Sequence, residues 1–152
     1  MSILTKLHSL LARTGALLQS PLLLVIRLYW GWQFFITGKA KLMNVDNFAA
    51  HFHDWGIPFP KLSVILAGST ESLGGLLLLL GLFSRFASPA LISVMCVAYI
   101  TADIEALHGV FTNPDKFLSA DPFLFLLASV IVFAFGPGKI SLDALFFKDG
   151  KA

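Results

Sequence analysis

Residues 62–83 read LSVILAGSTESLGGLLLLLGLF, and Glu71 is the only charged residue among them. An α-helix of about 20 predominantly apolar residues is long enough to cross the hydrocarbon core of a bilayer. The segment is also followed closely by the short polar pair Ser84-Arg85 and then by a further apolar run. We therefore expect a membrane-spanning helix here that is joined by a tight turn to an antiparallel neighbour.

Similar apolar segments lie on both sides of this helix, and we expect four spans in all. Their predicted limits are Pro21–Gly38, Leu62–Phe83, Phe86–Ala106 and Pro122–Phe135. Polar residues 39–61 connect the first span to the second, and polar residues 107–121 connect the third span to the fourth. The expected fold class is all-α, an integral membrane four-helix bundle with short interfacial amphipathic helices at both ends.

The composition agrees with a chain that is surrounded by lipid. Hydrophobic residues make up 57% of the 152 residues and charged residues only 13%, whereas soluble domains carry about 25% charged residues. The net charge of +2 is small and dispersed, which argues against nucleic acid as a partner. The bilayer itself is the first expected partner.

The two ends of the chain have a different pattern from the spans. Residues 1–20 place leucines at helical spacing with basic side chains between them, which predicts an interfacial amphipathic helix; a secretory signal is the rival interpretation. Residues 21–138 form the expected four-helix domain. Residues 139–152 form a short amphipathic tail, with Ser141 as its predicted N-cap.

The distribution of basic residues predicts the orientation. With both termini in the cytoplasm, the inner side carries six basic residues: Lys6, Arg13, Arg85, Lys139, Lys148 and Lys151. The outer side then carries four: Lys39, Lys41, Lys61 and Lys116. Cytoplasmic loops of membrane proteins carry the excess of Lys and Arg. We therefore expect a multi-pass protein of a bacterial-type inner (plasma) membrane with both termini cytoplasmic.

Two charged residues fall inside predicted spans, Arg27 in the first and Glu71 in the second. A charge at the bilayer centre costs on the order of 2.5–3.5 kcal/mol, so neither should face lipid. Gly31 and Gly38 share the helix face of Arg27, and glycines also flank Glu71, which favours close packing of the two helices. We expect Arg27 to pair with Glu71, either as a buried structural ion pair or as a site for a proton or polar headgroup.

A second polar group is predicted at the outer end of the third span. It consists of Lys39, Lys41, Tyr99, Asp103, Glu105 and His108. These residues are expected at one membrane level, where they form either a mouth for a small polar molecule or an ordinary solvated interface with ion pairs.

Other site chemistry has little support in the sequence. His51, His53 and Asp54 are close in sequence, but histidines two positions apart on a helix diverge, so no metal site is expected. No span carries an interior histidine to hold a haem. Cys96 is the only cysteine, so no intrachain disulfide or dithiol pair is available, and its mid-span position predicts a packing role.

Several short motifs occur in a characteristic order along most of the chain. They are Arg27-x3-Gly31 with Gly38-Lys39-x-Lys41-Leu42, then Gly56-Ile57-Pro58-Phe59-Pro60, then Glu71-x2-Gly74-Gly75-Leu76 with Gly81-Leu82-Phe83-Ser84-Arg85, and finally Gly136-Pro137-Gly138-x2-Ser141-Leu142-Asp143. In this order and spacing the chain resembles the DoxX family of small four-helix membrane proteins over about residues 20–147.

The resemblance implies a membrane subunit of a quinone-linked oxidoreductase system that acts through a soluble redox partner. The resemblance implies a quinone as the cofactor. The chain itself carries no cofactor motif, and its catalytic residues are unknown. Two other interpretations remain open. One is a non-enzymatic membrane scaffold or stress-linked interaction protein, and the other is a small transporter that uses Glu71 and Asp103 and works as a homo-oligomer.

Overall fold

A computed structural model describes residues 3–147, which form eight α-helices. The four longer helices of the bundle are α1 (Ile3–Met43), α3 (Pro60–Leu80), α4 (Ser84–Thr101) and α7 (Pro122–Phe135). The shorter helices are α2 (Val45–Asp54), α5 (Ile104–His108), α6 (Pro114–Ser119) and α8 (Leu142–Phe146). The all-α fold class is confirmed.

Three helices, α1, α3 and α4, are long and apolar enough to cross a membrane. Helix α7 lies exactly where the fourth span was predicted and carries no charge, but it has 14 residues. At 1.5 Å per residue it is about 21 Å long, shorter than the ~30 Å hydrocarbon core. That α7 also crosses therefore stays a prediction.

The first helix extends beyond both ends of the predicted first span, Pro21–Gly38. Residues 3–20 and the first span form one continuous helix, which passes through Pro21 and continues to Met43. The prediction of two separate helices, one over residues 1–20 and one from Pro21, is wrong. Leucines favour helix on both sides of Pro21, and the missing proline N–H removes only one helical hydrogen bond. The extension at the other end has a larger effect on the site, because it makes Lys39 and Lys41 helical.

The bundle is a ring in which α1 packs on α3, α3 on α4, α4 on α7, and α7 on α1. Its central side chains are Phe34, Leu78, Leu91, Met95 and Val132. The tight turn between α3 and α4 marks one end of the bundle, which we call the α3–α4 end, and the opposite end, which carries α2, is the α2 end. Helix α2 docks on α3 through Ala49, Phe52 and Val64.

The backbones of α1 and α3 come into close contact because glycines line their interface. A Cβ atom added to Gly31 would lie 2.9 Å from the carbonyl oxygen of Gly75, and one added to Gly38 would lie 2.7 Å from that of Gly68. Small residues allow this approach between membrane helices. The contact fixes the register: Gly31 lies beside Gly75, and Gly38 beside Gly68.

Candidate functional site: an apolar cavity with a buried ion pair

Glu71 is buried in the middle of α3 and forms an ion pair with Lys41 of α1. The Lys41 Nζ to Glu71 Oε2 distance is 2.6 Å, and the two side chains are 19% and 2% exposed. Lys41 follows Gly38 by three residues, so both lie on the face of α1 that packs against α3. Its aliphatic chain extends from the α2 end into the bundle and carries the ammonium group to the carboxylate.

The predicted pairing of Arg27 with Glu71 is wrong, although both residues are buried on the glycine-lined interface as expected. The register places Arg27 beside Gly81, where a Cβ atom would collide with the guanidinium. Gly81 is ten positions from Glu71 on α3, which is about 15 Å of helix rise. That distance is beyond the reach of the Arg27 side chain.

Arg27 instead binds the segment that follows α7. Its Nη2 donates a hydrogen bond to the carbonyl oxygen of Ile140. Next to this bond, the carboxylate of Asp143 accepts hydrogen bonds from the backbone N–H groups of Phe83 and Ser84, at 2.7 and 3.1 Å. Asp143 thereby caps the N-terminus of α4, and the C-terminal segment is tied across the α3–α4 end.

Gly81 makes this arrangement possible. Its φ of +66° lies in the left-handed region, where a side chain is strained. The Arg27 guanidinium also occupies the space in which a side chain at this position would lie. The Asp143 backbone N–H donates to the Gly81 carbonyl oxygen at 2.8 Å, so one residue links α3, Arg27 and the C-terminal segment.

A cavity of about 730 Å³ lies beside the Lys41–Glu71 pair, toward the α2 end. Its wall is mostly apolar and aromatic and comes from α1, α2, α3, α4 and α7, with Phe48, Phe52, Trp55, Met95 and Phe125 among the lining side chains. The polar lining groups are few: besides the ion pair they include Gln33, Thr37, Thr70, Asp103 and Asp121. A predominantly apolar cavity with a few polar groups is typical of a small-molecule site.

The polar residues predicted at the outer end do not form one cluster. Lys41 binds Glu71, and Asp103 lines the cavity. The Tyr99 hydroxyl is buried and donates to the carbonyl oxygen of Phe117 at 2.9 Å. Glu105 instead forms an exposed ion pair with Lys116, while Lys39 and His108 are exposed.

The Glu105–Lys116 pair lies outside the long helices and joins α5 to α6. The hydrogen bond from Lys116, and then its positive charge, lower the pKa of Glu105. A lowered carboxyl pKa adds stability above the unfolded-state pKa, and this contribution is lost as the pH falls through the folded-state value. The two side chains are largely exposed, so the effect of the pair on the stability of the fold is small.

His51, His53 and Asp54 lie on α2 and in its last turn, with exposed side chains. Within residues 3–147, no group of three or more His, Cys, Asp or Glu side chains is close enough together to hold a metal ion. His51 lies against Trp55, with ring centroids 6.1 Å apart.

Trp55 and Phe125 line the cavity but are not predicted as site residues. Both are aromatic residues outside any motif, and Trp55 follows α2 within the predicted polar connection, so no sequence signal places it at the bundle. The signal for Lys41 was present: it continues the Arg27, Gly31, Phe34, Gly38 stripe at helical spacing.

Comparison with known proteins identifies one matching family and two relatives. The model of the DoxX family matches residues 22–104. An uncharacterized membrane protein of Mycobacterium tuberculosis is 31% identical over 144 residues, covering 87% of this chain and 85% of its own length. An uncharacterized protein of Haemophilus influenzae is 29% identical over 132 residues, covering 83% of each chain. No solved structure gives a significant match.

Proposed function

The chain belongs to the DoxX family, and we propose that this membrane protein is the membrane subunit of a quinone-linked oxidoreductase system, with a quinone bound in the cavity beside Lys41 and Glu71. The observation that supports the proposal is the cavity itself: it is large, mostly apolar, and has a buried ion pair in its wall. Its volume of about 730 Å³ lies within the usual range of small-molecule sites.

The side chains of the cavity suit a flat ring with carbonyl oxygens. Phe48, Phe52 and Trp55 provide aromatic surface for the ring. The Lys41 ammonium and the Thr70 hydroxyl are hydrogen-bond donors for carbonyl oxygens. The Lys41 ammonium would bind the ring at one carbonyl, while Glu71 keeps that ammonium in place.

A bound quinone accepts two electrons and two protons to give a quinol, and both must come from elsewhere. A chain with one cysteine has no dithiol pair to supply the electrons, so the proposal requires a soluble partner with its own flavin or metal. Three carboxyl groups, those of Glu71, Asp103 and Asp121, lie in the cavity wall and could pass protons toward the ring.

Trp55 fluorescence gives a direct test, because quinones quench nearby indole rings. In a Trp30→Phe, Trp32→Phe background, Trp55 is the only tryptophan left. We expect a short-chain ubiquinone, titrated into protein in lipid nanodiscs, to quench it saturably. Lys41→Met should weaken the binding, and Lys39→Met, which removes an exposed lysine two residues away, should not. Linear quenching that is equal in all variants would reflect partitioning into lipid and would contradict the proposal.

A small transporter is the second candidate, and one observation favours it: Glu71 and Asp103 line the same cavity. Two carboxyl groups inside a bundle are typical of proton-coupled pathways. Proton flux into liposomes that is lost in both Glu71→Gln and Asp103→Asn variants, without saturable quinone quenching, would favour this function over the first.

A further inference from the structure

A second cavity, of about 490 Å³, opens at the α3–α4 end. It lies between residues Gln19 and Ser20 of α1, the α3–α4 turn, and the segment that follows α7. Helices α3, α4 and α7 all begin or end at this level, so the cavity lies where the apolar bundle meets the membrane surface.

Two basic side chains, Arg85 and Lys139, line this cavity. Within residues 3–147, neither guanidinium nor ammonium group has a hydrogen bond or ion pair with another residue. Arg85 lies against the backbone after α7, since a Cβ atom added to Gly136 would be 3.5 Å from its Nε. Among the residues that the structure describes, these two positive groups therefore have no ion-pair partner.

Asp143 also lines the cavity but does not neutralise these cations. One carboxylate oxygen accepts from the Phe83 N–H and the other from the Ser84 N–H. No oxygen of Asp143 lies within ion-pair distance of Arg85 or Lys139. The carboxylate caps α4, and the two basic side chains remain available to an external anion.

The same cavity has an apolar rim. Phe83, Phe86 and Phe135 line it and are 45%, 80% and 61% exposed. Two cations beside exposed aromatic rings, at the ends of membrane helices, match the two parts of a phospholipid: a phosphate headgroup and acyl chains. Basic cavities of this kind between membrane helices bind anionic lipid headgroups.

From this geometry we infer that Arg85 and Lys139 form a binding site for an anionic phospholipid, whose phosphate lies between the two cations and whose acyl chains run along Phe83, Phe86 and Phe135. The site is at the opposite end of the bundle from the proposed quinone cavity and does not depend on it. A lipid here would also join the first turn of α4 to the segment after α7, since each contributes one cation.

Binding can be measured on the full chain in neutral detergent by native mass spectrometry with three probes of increasing complexity. These are inorganic phosphate, dioctanoyl phosphatidylcholine and dioctanoyl phosphatidylglycerol. We expect phosphatidylglycerol to bind more tightly than phosphatidylcholine, which has the same chains but no net charge. Arg85→Gln and Lys139→Gln should each weaken phosphatidylglycerol binding about fivefold, the factor for roughly 1 kcal/mol per basic residue at a lipid surface.

Lys39→Gln is the matched control, because it removes an exposed lysine at the α2 end and should leave binding unchanged. Arg85→Lys keeps the charge and tests the site if Arg85→Gln fails to fold; it should retain more binding than Lys139→Gln. Equal affinity for both lipids, or equal loss in the Lys39→Gln control, would overturn the proposal. Full competition by millimolar inorganic phosphate would reassign the site to free phosphate and overturn the lipid proposal.

Discussion

Lys41 of α1 reaches Glu71 of α3 across the glycine-lined interface, with 2.6 Å between Nζ and Oε2. The Lys41 side chain is 19% exposed, whereas the Glu71 side chain is only 2% exposed. The two partners are therefore not equivalent, because loss of the lysine leaves a buried carboxylate without its counter-charge.

The first prediction follows from that asymmetry. Lys41→Met should destabilise the fold more than Glu71→Gln, because it leaves Glu71 buried without a counter-charge; breaking a fully buried pair costs about 3–5 kcal/mol. A double-mutant cycle of thermal stability in detergent should give a clear coupling energy between positions 41 and 71. The same cycle between positions 27 and 71 is the control and should be additive within about 0.5 kcal/mol. Coupling of 27 with 71 but not of 41 with 71 would restore the pairing that the structure excludes.

The second prediction concerns the contact between α1 and α3. Gly31→Ala and Gly38→Ala should each destabilise the protein by about 1–3 kcal/mol, because the added methyl group meets backbone atoms of α3. Gly15→Ala is the matched control on the same helix, since nothing lies within 4 Å of its added Cβ. It should be neutral or stabilising by up to about 1 kcal/mol. Equal effects at positions 15 and 38, measured by thermal unfolding, would argue against the close contact.

The third prediction concerns the cap on α4. Asp143→Ala should cost about 1–2 kcal/mol, as expected for loss of a helix N-cap, and Asp143→Asn should cost less because the amide oxygen still accepts one hydrogen bond. Asp115→Ala removes an exposed carboxylate at the other end and serves as control. Hydrogen exchange at the Phe83 and Ser84 amides should rise in Asp143→Ala and stay unchanged in the control. Unchanged protection of both amides in Asp143→Ala would contradict the capping role.

The fourth prediction is the orientation in the membrane, which rests on the basic residues alone. In a Cys96→Ser background, a cysteine at Asp54 should react with an impermeant thiol reagent in intact cells, because residues 39–61 are predicted outside. A cysteine at Lys6 should react only after the membrane is permeabilised. The reverse pattern would place the N-terminus outside and residues 39–61 inside.

The sequence predicts the helices well because each long apolar segment can satisfy its backbone only as a helix in lipid. It also identifies Arg27 and Glu71 as buried, since neither charge can face acyl chains. The partners of these residues depend on the axial register between two helices, and the glycines allow several registers. In the observed register, Arg27 lies beside Gly81 and Glu71 pairs with Lys41.

The end of α1 also differs from the prediction. A first helix that ends at Gly38 would leave Lys41 in a connection, where its direction is undefined. Because the helix continues to Met43, Lys41 points along the stripe of Arg27, Gly31 and Gly38. The five residues from Lys39 to Met43 thus decide which cation meets the carboxylate, and helix ends are the least predictable part of such a segment.

The backbone contact between α1 and α3 also has a consequence for motion. No side chain separates these two helices at Gly31 and Gly38, so neither helix can slide or roll against the other without a steric collision. Helices α4 and α7 meet the bundle through Leu91, Met95 and Val132, whose side chains can repack. We therefore expect α1 and α3 to move as one pair, and a molecule entering the cavity from the bilayer to displace α4 and α7 relative to them. Spin-label distances should vary between α3 and α4 and stay constant between α1 and α3.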